Sequence, residues 1–215
     1  MAEIKFCGLM RPEDAAFAGT LGAAYLGVIF AGGPRRLTVA RAGEVLDGCG
    51  RGARRVGVFG RVAAEEIGRA VDEARLDVVQ LHRDPTPDDV AAVRRVTSAR
   101  IWAVARVADS LPREAAELLA AADALLIDAR VSGALGGTGV AVEWEAIADA
   151  LAGMRGGRTV ILAGGLAPEN VGRAIATLRP DVVDVSSGVE SAPGIKDHAR
   201  MRAFAAAVTR AAEEK

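Results

Sequence analysis

Residues 4–30 read "IKFCGLMRPEDAAFAGTLGAAYLGVIF", and the way this stretch divides decides the fold. From Ala15 to Pro34 no charged residue occurs, close to the ~20 apolar residues that a membrane-spanning helix requires. Five glycines punctuate that span, however, and its character changes midway. "AAFAGTLGAA" reads as a helix ending near Gly22, because glycine suits a helix terminus. "YLGVIF" is a continuous apolar run of strand length. The expectation is strand, helix, strand, with Cys7 closing the first strand and no membrane segment.

The same unit repeats. Short apolar runs recur as "IKFC", "YLGVIF", "RRVGVF", "DVVQLH", "IWAVA", "ALLID", "TVILAGG" and "VVDVSSG", separated by segments rich in Ala, Glu and Arg. In "VAAEEIGRAVDEA", Val62, Ile67, Ala70, Val71 and Ala74 are expected to line one helix face, while Glu65, Glu66, Arg69 and Asp72 stay wet. Asp88, Asp89, Arg94 and Arg95 take the polar part in the next helix. The strand runs are apolar throughout instead of alternating, which marks sheets covered on both faces. Strand–helix alternation implies parallel strands joined by right-handed crossovers. Eight units in 215 residues fit an α/β fold, a single-domain (β/α)8 TIM barrel over residues 1–215, whose size range begins near ~200 residues. An open doubly wound sheet is the competing arrangement.

Composition narrows the function. The chain is 51% hydrophobic and 26% charged with a net charge of −1, so a core is affordable and no basic footprint for nucleic acid is present. The two cysteines, Cys7 and Cys49, and the two histidines, His82 and His198, occur in unrelated contexts. Neither a disulfide framework nor a metal cage is expected from them. Cys49 reads as structural and His198, in the last helix, as uninvolved. The N-terminus lacks a basic-then-apolar signal, which points to the cytoplasm.

In a parallel barrel, chemistry collects where the strands end. Here those positions carry Cys7 after the first strand, His82 after the fourth and Asp128 after the sixth, with Arg35 and Arg36 in the loop after the second. Gly164 and Gly165 follow the seventh strand; Ser186, Ser187 and Gly188 follow the eighth. Glycine lets an anion approach backbone amides that a Cβ would screen, and a helix N-terminus adds partial positive charge without a lysine. These two turns are expected to cradle a phosphate, as the last two loops of barrels often do. "LAGGLAPENV" is expected to enter its helix with Pro168 near the first turn. After the sixth strand, Gly136, Gly137, Thr138 and Gly139, with Gly133, form a glycine-rich loop suited to a lid over the site or to a plain surface connection.

Taken together, "IKFCGLMRPEDA", "GPRRLT", "RRVGVF", "VVQLH", "LLIDARVSGALGGTG", "LAGGLAPENV" and "VDVSSGVESAPGIKD" resemble phosphoribosylanthranilate isomerase, in family order over nearly the whole chain. The resemblance implies an Amadori rearrangement of N-(5-phosphoribosyl)anthranilate to 1-(2-carboxyphenylamino)-1-deoxyribulose 5-phosphate in tryptophan biosynthesis. It implies Cys7 as general base and Asp128 as general acid. Such a reaction needs one acid and one base on opposite sides of the sugar, and no metal or organic cofactor. A free thiol titrates near ~8.5, so Cys7 should need help from N–H groups or positive charge. Where the family shows Ser-Pro-Arg and an aromatic, this chain has Gly33, Pro34, Arg35 and Arg36. The match puts the anthranilate carboxylate on Arg35, a guanidinium fork suited to it, with Arg36 as the rival. His82 is placed against the substrate or in packing. Asp184 is placed on a sugar hydroxyl, on the same side of its strand as Ser186.

The implied partner is a small phosphosugar, with no nucleic acid or membrane, in a monomer or homodimer. Two other readings compete. An indole-glycerol-phosphate synthase-like barrel would want a lysine acid, and the lysines are Lys5, Lys196 and Lys215, none at a middle-strand end. A non-catalytic phosphosugar-binding barrel would keep the cradle and lose the acid or the base.

Overall fold

The structure is a computed structural model and describes residues 1–48, 52–107, 110–129 and 144–213. Its first half runs β1 (Glu3–Phe6), α1 (Pro12–Thr20), β2 (Tyr25–Ile29), α2 (Val39–Asp47), β3 (Arg54–Phe59), α3 (Ala64–Ala74), β4 (Val78–Leu81) and α4 (Pro87–Arg94). The second half runs β5 (Arg100–Val107), α5 (Ala115–Ala121), β6 (Ala124–Ala129), α6 (Trp144–Arg155), β7 (Thr159–Ala163), α7 (Val171–Leu178) and β8 (Val182–Val185). A hairpin of β9 (Glu190–Ala192) and β10 (Ile195–Lys196) precedes α8 (His198–Glu213). Every apolar run read as a strand forms one. The stretch from Ala15 to Pro34 divides into α1 and β2, and no helix among the described residues is long and apolar enough to cross a membrane.

Strands β1–β8 are parallel, and β1 pairs with both β2 and β8. The ring is closed, which excludes the open doubly wound sheet. Side chains leave successive strand residues on opposite faces, and here both faces are buried. On β6, Ala124 and Leu126 pack with Trp102, Val104 and Ile161 inside the ring, while Leu125 and Ile127 join the layer beneath the helices. That double burial is why the strands show no alternation in sequence. Each aliphatic side chain so enclosed contributes roughly 1.5–3 kcal/mol.

Helix starts follow local chemistry. Thr86 caps α4 reciprocally with Asp89, and Pro87 occupies the first turn, where a missing N–H is harmless. At the amino ends of the strands, one device appears three times. Asp77, Asp123 and Asp181, each just before β4, β6 or β8, accept the backbone N–H of Arg55, Ile101 and Val160 at 2.7, 2.7 and 2.8 Å.

Two local expectations are corrected. Val62 is 46% exposed because α3 begins only at Ala64; the rest of the expected face, Ile67, Ala70, Val71 and Ala74, is buried. α7 begins at Val171, later than Pro168 suggested, because the Asn170 side chain holds the preceding turn together. Its Oδ1 accepts the Ala167 N–H at 2.8 Å and its Nδ2 donates to the Gly165 carbonyl at 2.9 Å.

Candidate active site

A cavity of about 670 Å³ opens at the carboxyl ends of the strands, a size typical of small-molecule sites. Cys7, His82, Asp128, Asp184, Gly164, Gly165, Ser186, Ser187 and Gly188 all line it. The two-residue period accounts for this convergence. Cys7 lies two residues past Lys5, His82 two past Gln80, Asp128 two past Leu126 and Ser186 two past Asp184, so all share the inner face.

The two small-residue turns are packed backbone to backbone. A Cβ on Gly188 would stand 1.9 Å from the Leu166 carbonyl oxygen, so no side chain fits there. Gly164 and Gly165 take φ of +90° and +63°, the left-handed region that only glycine enters freely. The result is a wall of glycine backbone and small side chains shared by the loops after β7 and β8.

Beneath the cavity the barrel interior becomes polar, against the cost of burying such groups. Lys5 is fully buried, and its Nζ donates to Asp184 Oδ2 at 2.7 Å and to Gln80 Oε1 at 3.0 Å. A lysine can only donate, so the Gln80 atom facing it is the oxygen. Gln80 Nε2 then faces His82 Nδ1 at 3.4 Å, which makes Nδ1 the acceptor and puts the ring proton on Nε2. That nitrogen lies 4.0 Å from Asp128 Oδ2. Burial lowers the His82 pKa, with Asp128 opposing and Arg106 assisting, so the ring is neutral at pH 7. Asp184 Oδ1 is buried without a hydrogen-bond partner among the described residues.

The positive charge that Cys7 is expected to need stands nearby, yet burial prevails. Burial pushes its pKa above the ordinary thiol value, and the nearby Lys5 ammonium pulls it down without winning. Burial also works against the charge on Lys5, but Asp184 and Cys7 outweigh it and leave the lysine pKa raised.

Arg35 does not line the cavity. Its Nε donates to Glu190 Oε1 at 2.9 Å, and its Nη2 pairs with Oε2. It stands at the rim near Cys7: a Cβ on Gly8 would meet Arg35 Cδ at 2.7 Å. Arg36 turns outward toward α2 and α3, beside Glu66 and Arg69. Glu190 also accepts from the buried Lys196 Nζ at 2.7 Å, and that lysine donates to the Ser186 carbonyl at 3.1 Å. The hairpin carrying both residues is tied to α1 through buried Asp14, whose Oδ2 accepts the Lys196 N–H at 3.3 Å and whose Oδ1 lies 2.9 Å from His198 Nε2. His198, stacked on Phe17 at 4.0 Å, thus serves the framework. Sequence reading missed Gln80, Lys5, Glu190 and the cavity-lining Arg61, Arg83 and Arg106. The glycine-rich loop with Gly136, Gly137, Thr138 and Gly139 lies outside the described residues, as does Cys49.

A family profile described as N-(5'phosphoribosyl)anthranilate (PRA) isomerase matches residues 4–207. The chain belongs to the phosphoribosylanthranilate isomerase family. A curated family member, N-(5'-phosphoribosyl)anthranilate isomerase from Pseudomonas aeruginosa (strain LESB58), is 39% identical over 208 residues, covering 95% of this chain and 94% of the relative. The crystal structure of the Thermus thermophilus phosphoribosyl anthranilate isomerase is 37% identical, with a TM-score of 0.79 over 97% of this chain and 98% of that one. Another family structure, 29% identical with a TM-score of 0.81 over 98% of this chain and 100% of that one, is a complex with reduced 1-(o-carboxyphenylamino)-1-deoxyribulose 5-phosphate.

Proposed function

We propose that this chain carries out its family's isomerase step, the Amadori rearrangement of N-(5-phosphoribosyl)anthranilate in tryptophan biosynthesis, by general acid–base catalysis between Cys7 and Asp128. The observation that carries the reading is that a thiol from the end of β1 and a carboxyl from β6 line one cavity with the glycine-rich loops after β7 and β8 between them. Asp128 protonates the furanose ring oxygen, and the ring opens to an iminium at C1. Cys7 as thiolate removes the C2 proton, giving an enolamine that tautomerises to the ketone. Charge is conserved: one proton enters at oxygen from Asp128 and one leaves carbon to Cys7.

The remaining residues position the substrate. Gly164, Gly165, Ser186, Ser187 and Gly188 receive the phosphate through backbone amides. The unpartnered Asp184 Oδ1 accepts a sugar hydroxyl, since a buried acceptor without a donor is otherwise costly. Neutral His82 presents its Nε2 proton beside Asp128. Arg35, braced by Glu190, offers its remaining edge to the anthranilate carboxylate. The cytoplasm, where a reduced thiol persists, suits a cysteine base.

The loss of anthranilate-substrate fluorescence on rearrangement tests the reading. Wild-type protein should turn the substrate over, since the acid and the base line the same cavity. Cys7→Ala should retain the fold and lose turnover. No turnover by the wild type contradicts the reaction; full activity in Cys7→Ala contradicts only the base.

A further inference from the structure

The geometry points to Lys5 as the positioning residue that governs ionisation of Cys7 from beneath the substrate. The inference rests on Cys7 acting as the base, and it gives a role to a buried charge that the proton transfers themselves leave unused.

Lys5 and Cys7 both face inward from the same edge of the barrel, two residues apart, and the feature that lets them meet is on the next strand. Gly27 of β2 is the inward residue alongside. A Cβ there would stand 2.9 Å from Cys7 Sγ and 3.2 Å from Lys5 Cε. The thiol and the end of the lysine chain therefore crowd the same small space, and glycine is the residue that leaves it open. The ammonium is fixed by two further contacts, Asp184 Oδ2 at 2.7 Å and Gln80 Oε1 at 3.0 Å. It cannot swing away to solvent.

Other charges surround the thiol. Asp184 on β8 opposes its ionisation, while Lys196 on β10 favours it; Arg35 at the rim also feels the thiol's charge. His82 and Asp128 stand beyond Gln80 on the far side of the floor. Of these, Lys5 makes the largest opposing contribution to the burial that holds the thiol protonated. An opposite charge at such range shifts a pKa by about 1–3 units. With Lys5 neutralised, a buried thiol against a carboxylate has little means of becoming a base. A second consequence is that Lys5 fixes the Gln80 amide and, through it, the His82 tautomer.

The test is the pH dependence of iodoacetamide alkylation at Cys7, followed by mass spectrometry of the Cys7 peptide without substrate. Lys5→Met should raise the alkylation midpoint by about one unit or more, a tenfold or greater fall in thiolate at neutral pH. Its kcat/KM should fall in parallel at pH 7. Because Lys5→Met leaves Asp184 as a buried unpaired charge, the double variant Lys5→Met/Asp184→Asn provides a neutral replacement of similar shape. It should show a smaller rise of the same sign. An unchanged or lowered midpoint in either folded variant overturns the inference, whatever happens to turnover. Since alkylation is read without substrate, it stands or falls separately from the turnover of Cys7→Ala.

Discussion

At the amino ends of the strands, Asp77, Asp123 and Asp181 each accept a backbone N–H from the neighbouring strand, and Asp123 and Asp181 also pair with Arg94 and Arg155. At the carboxyl ends, Asp128 comes no nearer to its histidine than 4.0 Å, and Asp184 keeps one buried oxygen without a partner. The arginines differ in the same way. Arg94 and Arg155 are engaged with carboxylates or carbonyls at the lower end, whereas Arg61, Arg83 and Arg106 border the open cavity, and Arg106 has only longer contacts there, 3.6 Å to Asp84 and 3.5 Å to the His82 carbonyl. One residue type thus closes the fold at one end and leaves bonding capacity at the other. Buried polar groups are almost always satisfied, so the Asp184 oxygen without a partner among the described residues marks where a ligand belongs.

The sharpest way to break this contrast is at Asp128. Asp128→Asn should lower kcat by roughly 10²–10⁴-fold with Tm unchanged, measured by the fluorescence assay and calorimetry. A smaller effect is expected at the rim. Arg35→Ala should raise KM by about 10–100-fold with little change in kcat, in keeping with the loss of a hydrogen bond to a charged group. Arg106→Ala on the cavity wall is the comparison, and a larger KM effect there moves the carboxylate role from Arg35 to the wall.

The opposite end should answer in stability alone. Asp181→Ala leaves the Val160 N–H unmet and should destabilise the protein by about 1–3 kcal/mol, or about 2–4 °C in Tm per kcal/mol. Its kcat well below Tm should equal that of the wild type. The smallest effect concerns acid pH. Hydrogen bonds from Arg35 and Lys196 outweigh burial and hold Glu190 below its ordinary value of 4.5. Its contribution is therefore present above that value and is lost as pH falls through the folded-state pKa. Glu190→Gln should be less stable than the wild type at pH 7, and the gap should narrow as pH falls below 4.5.

How much of this was legible in sequence depended on whether a residue's role was local. The strands were readable because burial on both faces leaves continuous apolar runs, and Cys7, Asp128 and His82 stood out as reactive groups ending such runs. The glycine turns were visible for the same reason. Lys5 was not: a lone lysine inside "IKFC" looks like an outward polar residue, and its partners lie 75 and 179 positions away. Arg61, Arg83 and Arg106 come from three separate strand ends with no shared motif. The β9–β10 hairpin is too short to show any periodicity, so Glu190 could not be connected to Arg35 before the chain was folded. Val62 was misread because an apolar spacing can run past the point where a helix begins.

The most direct test of the account is a crystal structure of this protein with the reduced product analogue bound. It should place Cys7 Sγ and the Asp128 carboxyl on opposite faces of the C1–C2 bond, each within about 3.5 Å of its reacting atom or one bridging water away, with the phosphate on the Gly165, Ser187 and Gly188 amides. A ligand bound with both groups on one face, or with its phosphate away from those loops, contradicts it.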